Sequence, residues 1–239
     1  MDFAGGEILY INKPLGWTSF DVVNKIRIML RNLLGIRKIK VGHAGTLDPL
    51  ATGVVVVCTG KATKRIEELM GHDKEYVATI RLGQTTPSFD LETQPDAVYP
   101  TDHIDLGLVE RTIRERFTGR IEQVPPMFSA IKIDGKRAYE YARRGNSDVE
   151  LKSRPVTIHS ISVERFELPM LTVRISCSKG TYIRSLARDL GRALGSGAHL
   201  TALERTAVGT AGIDRALTLT DLETMIARMP RPAEQAETA

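Results

Sequence analysis

The sequence predicts an α+β fold, in which helices flank a mixed, largely antiparallel β-sheet in a single domain. Short β-branched or alternating segments, typical of strands, are separated mostly by hairpin-type turns, and helical segments are interspersed among them. No internal repeat and no linker-like stretch divides the body of the chain. Its 239 residues are many for one domain but still fit a single mixed sheet.

The first half of the chain contains three strand patterns and two helix patterns. Apolar residues recur at helical spacing after Thr18 and Ser19, either of which can cap the helix, and Gly35 is a natural end for it. Valines 54–57 are typical of a buried strand, and Tyr76, Ala78 and Ile80 alternate onto one strand face. We therefore predict strands at 7–11, 54–58 and 75–82, and helices at 18–35 and 60–71.

The second half begins with an acidic segment, 85–102, which has three prolines and no helical period and is therefore predicted to be a loop. Asp134-Gly135 is a hairpin-type turn signal, and Pro169 marks another turn. We predict helices at 105–117, 138–144 and after 179–181, strands at 127–133, 156–166, 171–177 and 203–208, and a frayed tail after Met229.

The composition is that of a folded globular protein, with 42% apolar and 26% charged residues. No apolar run is long enough to cross a membrane, and the N-terminus lacks the pattern of a signal peptide. Cys58 and Cys177 each lie in an apolar, strand-like segment and are interpreted as buried thiols in a reducing compartment. We expect a cytoplasmic monomer without an obligate protein partner.

Charge is unevenly distributed although the net charge is only +4. Residues 22–47 contain no acid but six basic residues, and residues 82–110 contain no base but six acids. A basic surface beside the loop described next would suit a polyanionic partner. Arg184, Arg188 and Arg192, spaced by four on one predicted helix, would add a second basic stripe.

The segment 40–53 contains three glycines and one proline directly before the valine strand. Its glycines permit irregular backbone close to a ligand, and Pro49 disfavours helical geometry at Asp48. Asp48 and His43 are thus placed on a loop beside a rigid strand, where chemistry is often located. The alternative interpretation is that Asp48-Pro49 forms an ordinary turn and the glycines serve only connection.

Several kinds of site are not indicated by the sequence. It has no phosphate-binding loop, dinucleotide fingerprint or Gly-x-Ser-x-Gly motif, and its histidines and cysteines lack metal-ligand spacing. We therefore expect no cofactor and no metal. A carboxylate such as Asp48 can act without either, as a nucleophile or as a general acid or base.

At these residues the chain resembles the TruB-type tRNA pseudouridine-55 synthases. The matches run in order from residue 13 to about residue 209, and the block from Gly42 to Gly53 is the most specific of them. The matching segments are Lys13-Pro14 with Gly16 and Thr18-Ser19, 41–53, Gly60 with Thr63-Lys64, Lys74 with Tyr76, Gln123 with 125–126, 128–130 and Lys132, 179–184, and 197–200.

The resemblance implies the pseudouridine-synthase fold and the isomerisation of uridine to pseudouridine at position 55, in the T-loop of tRNA, without a cofactor. It implies that Asp48 is the catalytic nucleophile, that Tyr76 stacks on the flipped base and that Arg184 pairs with Asp48. His43, Tyr182 and Leu203 would line the substrate site. Lys64 and Asp90 also match family positions, but the resemblance assigns them no firm role.

The chain departs from the family pattern in two places. Ser88, Asp90 and Thr93 stand where relatives commonly show a Thr-x-Asp-x-x-Gly run. About thirty residues follow the last shared block, too few for the further RNA-binding domain that many relatives carry. We expect one catalytic domain over 1–229, which grips the T-arm of tRNA by itself, and a disordered tail over 230–239.

Two other functions are compatible with a basic surface. The chain could be an RNA-binding or RNA-folding module in which Asp48 has no essential role, or a pseudouridine synthase that acts on another RNA. A map of modified positions in total RNA separates these alternatives.

Overall fold

The computed structural model describes residues 1–129, 132–133, 136–138, 141 and 151–229. The chain forms two compact units. One, here called the terminal unit, combines Met1–Lys74 with the residues from Glu204 onward, and the other, the central unit, is Glu75–Leu203. The predicted hairpin turn at 134–135, most of the predicted helix at 138–144 and the predicted tail at 230–239 lie outside the described residues.

In the terminal unit, β3 (Ala51–Thr59) is the central strand. It pairs antiparallel with β1 (Ile8–Lys13) and with the short β2 (Val41–His43). The end of β12 (Ala198–Val208) follows β3 in the strand order and pairs in turn with β13 (Ala211–Gly212). The valine run of β3 is completely buried, as predicted, and its Val54 and Val56 pack in a core with Ala44, Leu69 and Val208.

The first helix, α1 (Ser19–Leu34), confirms the predicted boundaries. Thr18 and Asp21 form a reciprocal capping box at its start, and Gly35 ends it with a φ of 70°. The predicted helix at 60–71 is divided into a 3-10 helix, Gly60–Arg65, and α2 (Ile66–Met70).

A further helix, α5 (Leu219–Ala227), was not predicted. It contacts α1, and Lys25 and Glu223 form a salt bridge at 3.4 Å between these helices. Leu217 pairs with Ile11 of β1 beside it. Residues 213–229 therefore belong to the terminal unit.

In the central unit the strand order is β12, β4 (Lys74–Leu82), β11 (Met170–Cys177), β10 (Arg154–Glu167) and β7 (Gly119–Gln123). Strands β10 and β11 form the predicted hairpin around Pro169, with Glu167 opposite Met170. Burial alternates along β4 as predicted, and both cysteines are buried. Strand β7, which pairs with the start of β10, was not predicted.

The remaining elements of the central unit are short strands and two helices. Asp105 caps α3 (Leu106–Arg116), which confirms the predicted helix, and α4 (Ile183–Ala193) follows residues 179–181 as expected. Two small ladders join β5 (Gln84–Thr85) to β6 (Ala97–Val98) and β8 (Lys132–Ile133) to β9 (Lys136–Arg137). Of the strand predicted at 127–133, the described residues 127–129 are not in a strand, whereas Lys132–Ile133 are, so the prediction is wrong at its start.

The described ranges contain no helix with the length and apolar character needed to cross a membrane.

Candidate active site

The loop between β2 and β3 carries Asp48, as predicted, whereas His43 is the last residue of β2, directly before the loop. Hydrogen bonds fix the loop backbone at several points. Ala44 donates to the Val56 carbonyl at 2.8 Å, and Ala51 donates to the Asp48 carbonyl at 3.1 Å. The second bond closes a turn over Asp48-Pro49. The alternative interpretation of this pair as a turn is therefore correct for the backbone, and it leaves the partly exposed Asp48 side chain for chemistry.

The start of α1 holds the same loop from another side. The Ser19 hydroxyl accepts from the Leu47 N–H at 2.8 Å and lies 3.1 Å from the Leu47 carbonyl, to which it donates. Ser19 is buried, and so is Leu47. The residue directly before Asp48 is thus fixed by both of its backbone polar groups.

Lys13, at the end of β1, lies fully buried beneath this loop. Its Nζ donates to the carbonyls of Trp17 at 2.7 Å, Pro14 at 3.0 Å and Pro49 at 3.3 Å. Burial lowers the pKa of this ammonium to about 8, an effect that the negative charge of Asp48 partly opposes. The lysine therefore links the Asp48–Pro49 turn to the start of the chain and supplies a positive charge that acts on Asp48.

His43 lies at the end of β2 and is partly buried. Burial, together with the positive charge of Arg205, lowers the pKa of the imidazole below its usual value, and a backbone contact with Gly45 partly opposes this. The ring is accordingly neutral near pH 7. A neutral imidazole can stack on or insert beside a nucleobase without the cost of desolvating a cation.

In the central unit, Arg184 is buried on the first turn of α4, with 5% of its surface exposed. Its Nε lies 3.6 Å from Asp90 Oδ2, and the guanidinium donates weakly to the Ser88 carbonyl at 3.5 Å. The Arg184 side chain is therefore not part of a solvent-facing surface. Asp90, for which sequence assigned no firm role, places a buried carboxylate beside this guanidinium.

The predicted exposure of Arg188, one turn further along α4, is wrong. This residue was expected on a solvent-facing stripe with Arg192, but it is buried, donates to the Val124 carbonyl at 3.1 Å and lies 4.8 Å from the centre of the Phe89 ring. Only Arg192 of this stripe is exposed. Helix α4 therefore offers phosphates one arginine, not two.

The two predicted aromatic site residues occupy defined positions in the central unit. Tyr76 is buried on β4, and Tyr182 is the N-cap residue of α4, where its N–H donates to Gln123 Oε1 at 2.7 Å. Gln123 itself is 2% exposed, and its Nε2 has no hydrogen-bond partner among the described residues. Leu203 is partly buried on β12.

The six predicted site residues thus fall into two groups. Asp48 on its loop and His43 at the end of β2 belong to the terminal unit, whereas Tyr76, Tyr182, Arg184 and Leu203 belong to the central unit. The pairing of Arg184 with Asp48 and the stacking role of Tyr76 stay predictions. Lys64 is exposed on the 3-10 helix. Within the ranges described, no cluster of histidine, cysteine, aspartate or glutamate could hold a metal ion.

Sequence reasoning missed four residues that support these groups: Lys13, Gln123, Arg188 and Arg205. For Lys13 a signal was present, since it continues the inward alternation of Leu9 and Ile11 two residues beyond the predicted strand and begins a matching motif. Charged residues in strands usually point to solvent, so burial of Arg205 had no comparable signal.

Comparison with known proteins gives matches over most of the chain. The family model "TruB family pseudouridylate synthase (N terminal domain)" matches residues 31–183, and "tRNA pseudouridylate synthase B C-terminal domain" matches residues 184–236. The "tRNA pseudouridine synthase B" of Parabacteroides distasonis is 59% identical over 223 residues, which cover 93% of this chain and 94% of the relative. That of Phocaeicola vulgatus is 61% identical over 219 residues, covering 92% of each chain.

Among solved structures, the chain is similar to one described as "Crystal Structure of a Cbf5-Nop10-Gar1 Complex", with a TM-score of 0.68 and 30% identity. The match covers 93% of this chain but only 54% of that one, so this chain spans about half of its length. The family models and the two relatives above are pseudouridylate synthases, which are isomerases. The chain belongs to the TruB family of these enzymes.

Proposed function

We propose that this chain converts uridine to pseudouridine at position 55 in the T-loop of tRNA, with Asp48 as the nucleophile. In this isomerisation the C1′–N1 bond breaks, a C1′–C5 bond forms, and the proton lost from C5 is balanced by one gained at N1. No redox partner or cofactor is required by that balance. The observation that carries the proposal is the fixed loop that presents Asp48 within the most specific motif of the chain.

The electrostatics around Asp48 support its use as an anion. A nucleophilic carboxylate must be ionised, and nearby positive charge favours that form. Lys13 is a buried cation whose own pKa is affected by the charge of Asp48, so the two groups interact. If Arg184 pairs with Asp48 as the resemblance implies, a charge about 4 Å away would add about 4 kcal/mol at an effective dielectric near 20.

The substrate must be an extruded base, because the target atoms of a uridine in a folded loop are otherwise out of reach. Extrusion costs a few kcal/mol, and stacking on an aromatic side chain returns about 1–3 kcal/mol per base. In this proposal Tyr76 supplies the platform, the neutral His43 enters the loop beside the base, and Tyr182 and Leu203 line the pocket.

The RNA backbone has a basic surface available to it in the terminal unit. Four exposed cations lie in the last turn of α1 and in the segment between α1 and β2, namely Arg31, Arg37, Lys38 and Lys40. Lysine and arginine on one surface neutralise phosphates and make affinity fall with salt. We propose that this surface and Arg192 grip the T-arm and that the enzyme acts in the cytoplasm as a monomer without a protein partner.

The decisive experiment replaces Asp48 by asparagine, which keeps the shape and removes the charge. Asp48→Asn should bind tRNA as tightly as the natural protein and release no tritium from tRNA labelled at uridine C5. The exposed Asp102→Asn is the matched control and should retain full turnover. Turnover by Asp48→Asn at the natural rate would refute the nucleophile assignment.

A modification map of total RNA, with and without the protein, tests the substrate. Loss of pseudouridine confined to the T-loop position supports the proposal. An unchanged map would favour an RNA-binding module, and loss at other positions would favour a synthase for another RNA.

A further inference from the structure

Arg205 is the largest fully buried side chain of the described structure, with 1% of its surface exposed. It lies on β12, in the terminal unit, and donates from all three guanidinium nitrogens to backbone carbonyls. Nε donates to Val54 at 2.6 Å, one terminal nitrogen to Thr46 at 3.3 Å and the other to Gly45 at 3.2 Å. No carboxylate among the described residues forms a salt bridge with it.

Burial of a guanidinium without a carboxylate partner costs folding free energy, because the desolvation of its charge is not offset by an ion pair. A neutral side chain could pack between β3 and β12 at lower cost. A neutral side chain, however, could not donate hydrogen bonds to three differently placed carbonyls at once. The planar guanidinium fork of arginine can, because it carries donors on all three of its nitrogens.

Two of the three acceptors lie between His43 and Asp48. Gly45 has a φ of 98°, so its peptide is turned in a way that other residues rarely adopt. With Ala44 bonded to Val56 and Leu47 bonded to Ser19, the Arg205 fork fixes the remaining two residues of this interval. The backbone from one predicted site residue to the other is thus bound at every position.

The close approach of β12 to β3 at this point is also built into the sequence. Gly53 has a φ of 102°, and a methyl group there would lie 2.2 Å from the Arg205 carbonyl oxygen. The backbone of Arg205 is therefore held against β3 while its side chain crosses to the loop. The charge of Arg205 also acts on two groups of the site, because it lowers the pKa of both His43 and Lys13.

We propose that Arg205 is a positioning residue for the isomerase: its guanidinium fork fixes the loop between His43 and Asp48 so that both side chains face the substrate together. The inference rests on the proposed function, since it assigns a purpose to the fixed loop. Arg205 touches neither substrate nor reacting atoms in this account and acts only through the two residues that flank its acceptors.

Two substitutions separate the fork from the charge. Arg205→Lys keeps a positive charge but loses the three-point geometry, whereas Arg205→Met keeps similar length and loses both. Misplacement by about 1 Å can reduce turnover about 100-fold. We expect Arg205→Met to lower kcat about 100-fold, and Arg205→Lys about 10-fold, with the Kd for tRNA changed less than about threefold in both.

Leu222→Ala provides the matched control for stability. Leu222 is fully buried on α5 in the same unit, so its truncation destabilises the unit without removing a bond to the loop. If Arg205→Met retains kcat when its melting temperature falls as far as that of Leu222→Ala, Arg205 is structural only and the proposal is overturned.

A second readout does not depend on turnover. In Arg205→Met the titration midpoint of the His43 imidazole, followed by NMR, should rise toward its ordinary value because a positive charge has been removed, and in Arg205→Lys it should stay low. An unchanged midpoint together with an unchanged kcat in Arg205→Met overturns the proposal, whereas an unchanged midpoint with the expected loss of kcat assigns that loss to the fork alone. If Arg205→Met does not fold, the proposal is overturned by a kcat of Arg205→Lys equal to that of the natural protein. Failure of the proposed function would instead appear as turnover by Asp48→Asn.

Discussion

Replacement of Lys13 by methionine should change how stability depends on pH. The ordinary lysine pKa of 10.5 applies to the unfolded chain, and in the folded protein burial lowers it to about 8. Between these values the unfolded chain binds more protons, so stability rises with pH there and is lost again as pH falls toward 8. A pKa difference of about 2.5 corresponds to about 3 kcal/mol, of which about 2 kcal/mol develops between about pH 7.5 and pH 10.

Urea denaturation at these two pH values measures the effect. The free energy of unfolding of the natural protein, minus that of Lys13→Met, should increase by about 2 kcal/mol at the higher pH. Lys61→Met removes one charge from an exposed position and controls for the general effect of charge. A difference that stays constant within about 0.5 kcal/mol would show that the folded protein does not perturb Lys13.

Two further predictions concern packing around the site. Gly53→Ala should destabilise the protein by about 3 kcal/mol or more in urea denaturation, since its methyl group would clash with the Arg205 backbone. The control Gly16→Ala, with a φ of 80° and open space around it, should cost only about 1 kcal/mol. Equal losses of stability in the two variants would contradict the clash. Asp90→Asn should cost about 3 kcal/mol and reduce kcat, because it removes a charge that faces the buried Arg184. Tritium release by Asp90→Asn at the rate of the Asp102→Asn control would refute that role.

The spacing of apolar residues correctly predicted those helices and strands whose burial follows from their own sequence. Helix α1 has an apolar stripe, a capping residue and a terminal glycine, and β3 is an uninterrupted valine run, so local sequence and tertiary burial agree. Helix α5 was missed although Thr218 and Asp221 form a capping box at its start, a signal that sequence does contain. Strand β7 has a weaker sequence signal than α5, because its five residues, Gly119–Gln123, are mostly polar and the strand is short.

The site was predictable where a motif fixes the local backbone and unpredictable where burial depends on distant segments. Asp48 lies on the expected loop, with His43 directly before it, because the glycines and the following valine run determine the loop. Arg188 was placed on a solvent face from its spacing alone, but α4 is buried on both its apolar and its basic side. The sequence of α4 alone does not predict that the Val124 carbonyl and the Phe89 ring contact Arg188 on that side.

The terminal unit is discontinuous in sequence, and this sets an order for its assembly during synthesis. Residues 75–203 leave the ribosome before Arg205, so the nascent chain holds the whole central unit while the loop from His43 to Asp48 still lacks its guanidinium partner. Helix α5, which contacts α1, emerges later still. A polypeptide whose translation stops before residue 205 therefore contains its candidate nucleophile but not the side chain that fixes the nucleophile's loop, so the loop is held by all of its bonds only after Arg205 has been synthesised.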